Sequence, residues 1–145
     1  MNIPDSMLKD LSCFKTNECT RIHLKHHKGV QLDFGSKDIC IYTWYSAWRF
    51  IKDDLLYVSN NQFGLDLKEV SKRLEQLPKL EFESISMLND FDVSVHFNNN
   101  IRLDILCDSS DVTDEVVCFF CDNHIYVSYT CAKEWITGKS NVPGG

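Results

Sequence analysis

Cys118-Phe-Phe-Cys121, with His124 three residues on, has the C-x2-C-x2-H spacing that could begin a zinc site. Zinc draws its ligands to one point at about 2.0–2.3 Å, which a turn allows and a strand does not. Residues 116–121 alternate as a strand, which sends Cys118 and Cys121 to opposite faces. No second C-x2-C or His pair stands at finger spacing, so two structural cysteines are the competing reading and no metal is expected. His23, His26 and His27 form a second cluster, but Lys25 and Lys28 flank it and repel a cation. It reads as a solvated turn that responds to pH. His96 lies between Val95 and Phe97 and faces away from both, as an exposed or partner-facing imidazole.

Nucleophilic catalysis needs a Ser or Cys beside a base that a third group orients. The chain has those residue types but no G-x-S-x-G elbow, H-E-x-x-H, Walker A or G-x-G-x-x-G. Its six glycines leave little for phosphate-cradling loops, and no catalytic residue is expected. Residues 108–115 (Asp-Ser-Ser-Asp-Val-Thr-Asp-Glu) approach a calcium loop, yet they lack its central Gly and its spacing. They read as an acidic surface loop. Trp44, Tyr45 and Trp48, with Arg49 behind them, would suit either a stacking surface for a ligand or core packing with Arg49 bracing an internal carboxylate.

The elements that position these residues are mostly strands. Period-two alternation marks residues 21–24, 30–34, 39–43, 48–51 and 55–58, separated by polar turns. Leu67, Val70, Leu74 and Leu77 recur at helical spacing, with Asp66 as N-cap, Glu69 three residues on, and Pro78 as the stop. Strands resume at 82–87, 93–97, 101–107, 116–121 and 125–129, and residues 140–145 form a polar, flexible tail. A shift of 63 residues superposes Leu11 on Leu74, Ile22 on Ile85, Val30 on Val93 and Phe34 on Phe97. A shift of 62 then matches Ile39 with Ile101, Ile41 with Leu103 and Leu55 with Val117. Either a duplicated β unit packed around one central helix near 66–77, or two unrelated meanders, would give this pattern. Both give a β-rich, antiparallel α+β fold, a single domain over residues 1–139.

The chain has 145 residues, of which 43% are hydrophobic and 25% charged, enough for one sizeable core without disulfides or metal. Met1–Asp10 lacks an export signal and no stretch is long and apolar enough for a membrane helix, so the seven cysteines read as reduced thiols in a cytoplasm. The net charge of −6 disfavours a direct grip on nucleic acid or an anionic membrane. That charge is unevenly spread. Residues 1–79 hold 12 Lys and Arg against 10 Asp and Glu, whereas residues 80–145 hold 3 against 11. A one-sided field keeps a protein soluble, and it also steers an oppositely charged partner.

The phrases Val30-Gln-Leu-Asp-Phe-Gly35, Ile39-Cys-Ile41 and Trp48-Arg49 carry a likeness, with a weaker echo in Asp92-Val-Ser-Val-His-Phe97 and Ile101-Arg-Leu-Asp-Ile105. Over residues 11–129 the chain resembles small immunity proteins that neutralise bacterial polymorphic toxins, including those of contact-dependent growth inhibition. It departs from them at Asn98-Asn99-Asn100 and in its cysteine-rich last hairpin. The resemblance implies a cytoplasmic protein, without cofactor or catalysis, that binds one cognate toxin domain encoded by the adjacent gene. A basic nuclease is the expected toxin. Asp104, Asp108, Asp111, Asp114, Glu115, Asp122 and His96 are then the residues expected to meet it. The alternatives are a metal-binding or enzyme domain using Cys118, Cys121 and His124, and a small-ligand-binding domain using the Trp44/Trp48 cluster.

Overall fold

The computed structural model describes residues 3–25, 28–44, 46–60 and 66–140. The expectations for His26, His27, Tyr45 and residues 141–145 of the tail lie outside the described residues. Ser140 is not free, since its N–H and hydroxyl both donate to the His124 carbonyl, at 2.6 and 3.1 Å.

The described residues hold two α-helices and eleven strands in two antiparallel sheets, a β-rich α+β fold. In chain order the elements are α1 (Asp5–Leu11), β1 (Cys19–Leu24), β2 (Val30–Phe34), β3 (Ser36–Tyr42), β4 (Ala47–Lys52), β5 (Leu55–Ser59) and α2 (Leu67–Glu75). Then follow β6 (Phe82–Met87), β7 (Val93–Phe97), β8 (Ile101–Leu106), β9 (Glu115–Phe120), β10 (Ile125–Thr130) and β11 (Trp135–Lys139). The first sheet runs β1-β2-β3-β9-β10-β11 and the second β5-β4-β8-β7-β6.

This order is an internal repeat that exchanges strands. β1–β3 lie in the first sheet and β4–β5 in the second, while β6–β8 lie in the second and β9–β10 in the first. The registers agree pair by pair. Ile22 faces Leu32 as Ile85 faces Val95, and the irregularity between Cys19 and Arg21 recurs between Phe82 and Ser84. Leu32 faces Ile41 as Val95 faces Leu103. Phe50 faces Val58 as Phe119 faces Val127, which places β4 opposite β9 in the repeat. The expected match of Leu55 with Val117 therefore fails, because Leu55 opens β5 whereas Val117 belongs to the counterpart of β4. The longer connection between β8 and β9, residues 107–114, takes up the extra residues.

Tight turns follow from their residues. Asp53 and Asp54, with φ of 52° and 64°, close β4–β5 as a two-residue turn, the backbone that a twisted hairpin favours. Asn99 and Asn100 take φ of 58° and 54° between β7 and β8, and Asn is among the residues that tolerate this region best.

Each half opens with a helix, so the expectation of one central helix is corrected. α2 is the anticipated one: the Asp66 carboxylate accepts from the Glu69 N–H at 2.9 Å, and Val70 and Leu74 are buried. It packs on β1 and β5, where Tyr57 donates its hydroxyl to the Arg73 carbonyl at 2.8 Å. α1 was missed because a seven-residue helix with two buried apolar positions, Met7 and Leu11, is too short to show a period. The 3-10 turn after it delivers Phe14, fully buried, into edge contact with Phe34 and Phe119 and beside Phe82. One buried cluster joins both sheets, with Leu32, Phe34, Ile41, Trp48, Phe50, Leu103, Phe119 and Tyr129 at its centre. No helix among the described residues is long and apolar enough to cross a membrane.

Candidate functional site

The acidic residues separate into three places. Asp104 projects from β8 onto the outer face of the second sheet, yet it has no exposed surface. Ser94 donates its hydroxyl to Oδ1 at 2.9 Å, Arg102 Nε donates to the same oxygen at 3.1 Å, and Arg49 Nε reaches Oδ2 at 3.2 Å. Two guanidinium groups neutralise this carboxylate, so the expectation that Asp104 meets a partner is corrected: its charge is consumed inside the chain. Arg49 braces an internal carboxylate. His96 lies on the same outer face, paired in register with Arg102, and its Nε2 shares a 3.0 Å hydrogen bond with the Ser86 hydroxyl. Asp122 follows β9, about 20 Å along the strand from Glu115 at some 3.3 Å per residue, and so stands at the other end.

Asp108, Asp114 and Glu115 do converge, on one cavity, whereas Asp111 does not line it. Asp108, Asp111 and Asp114 lie exposed in the β8–β9 loop, and Glu115, exposed as well, opens β9 at the same end of the molecule. Two neighbouring turns close around them. The Cys107 N–H donates to Asp92 Oδ1 at 2.8 Å, which brings in the β6–β7 turn with Asp90. Tyr129 donates its hydroxyl to the Asp90 carbonyl at 2.7 Å. The Cys131 N–H donates to the Asp114 carbonyl at 2.9 Å, which brings in the β10–β11 turn with Glu134. Against these carboxylates stands Lys133, whose ammonium lies 4.5 Å from the centre of the exposed Phe91 ring.

Like charges this close repel, and the loop offsets the repulsion with local donors. Ser109 donates its hydroxyl to Asp114 Oδ2 at 2.6 Å. The Thr113 N–H and hydroxyl both donate to Asp111 Oδ1, at 3.0 and 2.7 Å. Those two bonds hold the Asp111 carboxyl below its ordinary pKa. Glu115 behaves differently: desolvation pushes its carboxyl up, opposed by a hydrogen bond from the Cys118 thiol.

A cavity of about 240 Å³ opens among these residues, lined by Trp44, Ser46, Asp108, Asp114, Glu115 and Cys131. Trp44 is 46% exposed there and stands edge-on to Tyr42 at 5.0 Å; Lys25 lies over the Tyr42 ring at 4.3 Å, one ring away. An aromatic face beside carboxylates attracts a cationic side chain twice over, through the ring quadrupole and through charge. The Trp44/Trp48 cluster of the sequence is split. Trp48 is buried in the core, where its Nε1–H donates to the Lys28 carbonyl at 2.8 Å. A larger groove, about 770 Å³, runs between β1 and α2, but its lining mixes Arg21, His23 and Lys79 with Glu18 and Glu75. Lys79 and Glu18 there satisfy one another at 2.7 Å.

Cys118 and Cys121 do not converge. Cys121 belongs to the core cluster and its thiol bonds Cys13, while Cys118 lies outside that cluster beside Glu115. Burial pushes the Cys118 thiol well up, and the shared hydrogen bond with burial does the same to Cys121. His124 sits exposed in the turn before β10. Among the described residues no three His, Cys, Asp or Glu side chains group so as to hold a metal ion. Asp90 and Asp92 belong to the acidic stretch of the sequence but not to the residues expected to meet a partner, and Glu134 escapes sequence reasoning altogether, because only the closure of turns joins these segments to residues 107–114.

Comparison with family models, with curated proteins and with solved structures gives no match for this chain.

Proposed function

We propose that the chain is an immunity protein that binds a cognate toxin domain, a basic nuclease encoded by the adjacent gene, and neutralises it through the acidic end. The gathering of Asp108, Asp114 and Glu115 around a cavity walled by exposed Trp44, with Asp111 exposed in the same loop, carries this reading. A nuclease holds its phosphodiester substrate with Lys and Arg, and a cluster of carboxylates competes for those same side chains. The cavity suits one such side chain as an anchor. The surrounding acids act at longer range, raising the rate of encounter. The protein works by occupancy, without catalysis or cofactor, in the cytoplasm.

Replacing Asp108, Asp111 and Asp114 together by Lys tests the assignment, with association to the purified toxin domain followed by stopped flow. The association rate falls by about ten- to a thousandfold at low salt while the melting temperature changes little. Unchanged association at low salt sinks the proposal.

A further inference from the structure

Five of the seven cysteines are buried, and burial, reinforced by the nearby Asp33 carboxylate, pushes two of them, Cys19 and Cys40, up to about 12. Cys107 and Cys131 differ. Both are half-exposed, and their sulfurs lie 2.9 Å apart across the base of the acidic end. A disulfide bond is about 2.05 Å long, so joining them moves the two sulfurs together by under about 1 Å. Their backbones are already fixed, Cys107 by the Asp92 carboxylate and Cys131 by the Asp114 carbonyl.

We propose that Cys107 and Cys131 form a covalent modification site, a dithiol oxidised to a disulfide by exchange with a low-molecular-weight disulfide such as oxidised glutathione. The Cys107 thiol loses its proton to solvent, and the thiolate attacks one sulfur of the small disulfide. A mixed disulfide forms at Cys107, and the first small thiolate leaves and takes up a proton. The Cys131 sulfur, deprotonated in turn, attacks the Cys107 sulfur and expels the second small thiolate, which is protonated. Two protein thiols are oxidised, and one small disulfide is reduced to two thiols. Burial and the hydrogen bond shared with Cys107 hold the Cys131 thiol up at about 12, so Cys131 resolves rather than starts the exchange. Capture of Cys107 removes that hydrogen bond and with it part of the hindrance. The product ties the start of the acidic loop to the turn that holds its end, closing the span between residues 24 apart in sequence. This site stands independently of any toxin.

Exchange of the reduced full-length chain with oxidised glutathione, trapping of free thiols and mapping of peptides test it. The wild type is expected to lose two hydrogens, with no lasting glutathione adduct and with peptides linked at Cys107 and Cys131. Cys131→Ser is expected to retain one glutathione on Cys107. The oxidised wild type is expected to melt roughly 5–10 °C higher, an increment that dithiothreitol abolishes. A lasting adduct on wild-type Cys107 would overturn the proposal. So would a mapped bond between other cysteines, or both thiols remaining free at equilibrium; the wild-type map stands even if the variant fails to fold.

Discussion

Trp44 and Asp114 wall the same cavity, although 69 residues of chain, running through both sheets, separate them. The β3–β4 connection carries the ring and the β8–β9 loop carries the carboxylate, two connections that occupy equivalent places in the internal repeat. Ser46 ties them together by donating its hydroxyl to the Val116 carbonyl at 2.8 Å. Trp44→Ala then has a defined consequence. Because the ring is exposed rather than part of the core, the melting temperature stays nearly constant. Loss of a desolvated aromatic anchor costs about 2 kcal/mol or more of binding and shows mainly as faster dissociation from the toxin domain, measured by surface plasmon resonance.

Asp104 behaves in the opposite way. Its carboxylate is fully buried, and its removal strands the buried Ser94 hydroxyl, while Arg49 and Arg102 reach enough solvent to rehydrate. Asp104→Ala costs about 1–3 kcal/mol of stability by urea denaturation and leaves affinity for the toxin domain unchanged. A selective loss of affinity with full stability would return Asp104 to the binding surface.

Phe14 joins strands of both sheets through Phe34, Phe82 and Phe119, at centroid distances of 5.1, 5.6 and 5.9 Å. Phe14→Ala leaves a cavity at that junction and destabilises the chain by about 3–5 kcal/mol in equilibrium unfolding. A loss under about 1 kcal/mol would mean that the junction collapses around the smaller residue.

His23 sets an acid limit. Desolvation outweighs the Asp33 carboxylate 3.4 Å away, and with Arg21 and Lys25 nearby it holds the imidazole below its ordinary value of 6.5. A depressed pKa contributes stability that is complete above the unfolded value and lost as pH falls through the folded one. The urea midpoint of the wild type therefore drops more steeply than that of His23→Gln as pH is lowered from about 6.5. Equal slopes would remove His23 from the account.

Much of this fold is legible in the residues. β6 and β7 run over the expected residues, since alternation survives wherever one face meets the core and the other does not. The repeat is legible through Val30 and Phe34 against Val93 and Phe97, but its second half is obscured because the β8–β9 loop is longer than the β3–β4 loop. β11 escapes notice because Gly138 interrupts its pattern. That glycine lies opposite Tyr126, and a Cβ there would come within 2.7 Å of the Tyr126 hydroxyl, so the ring covers the gap. The acidic end is legible as charge but not as a site. Alternation places Asp104 outward, and no local pattern reveals that Arg49, distant in sequence, reaches across from β4 to cover it.

The central claim is that the acidic end binds a basic toxin domain, and titration calorimetry of the purified chain with the domain encoded immediately upstream tests it most directly. A stoichiometric complex with Kd on the order of nM, weakening steadily as salt rises from about 50 to 500 mM, is the expected result. Absence of binding at the lowest salt would contradict it.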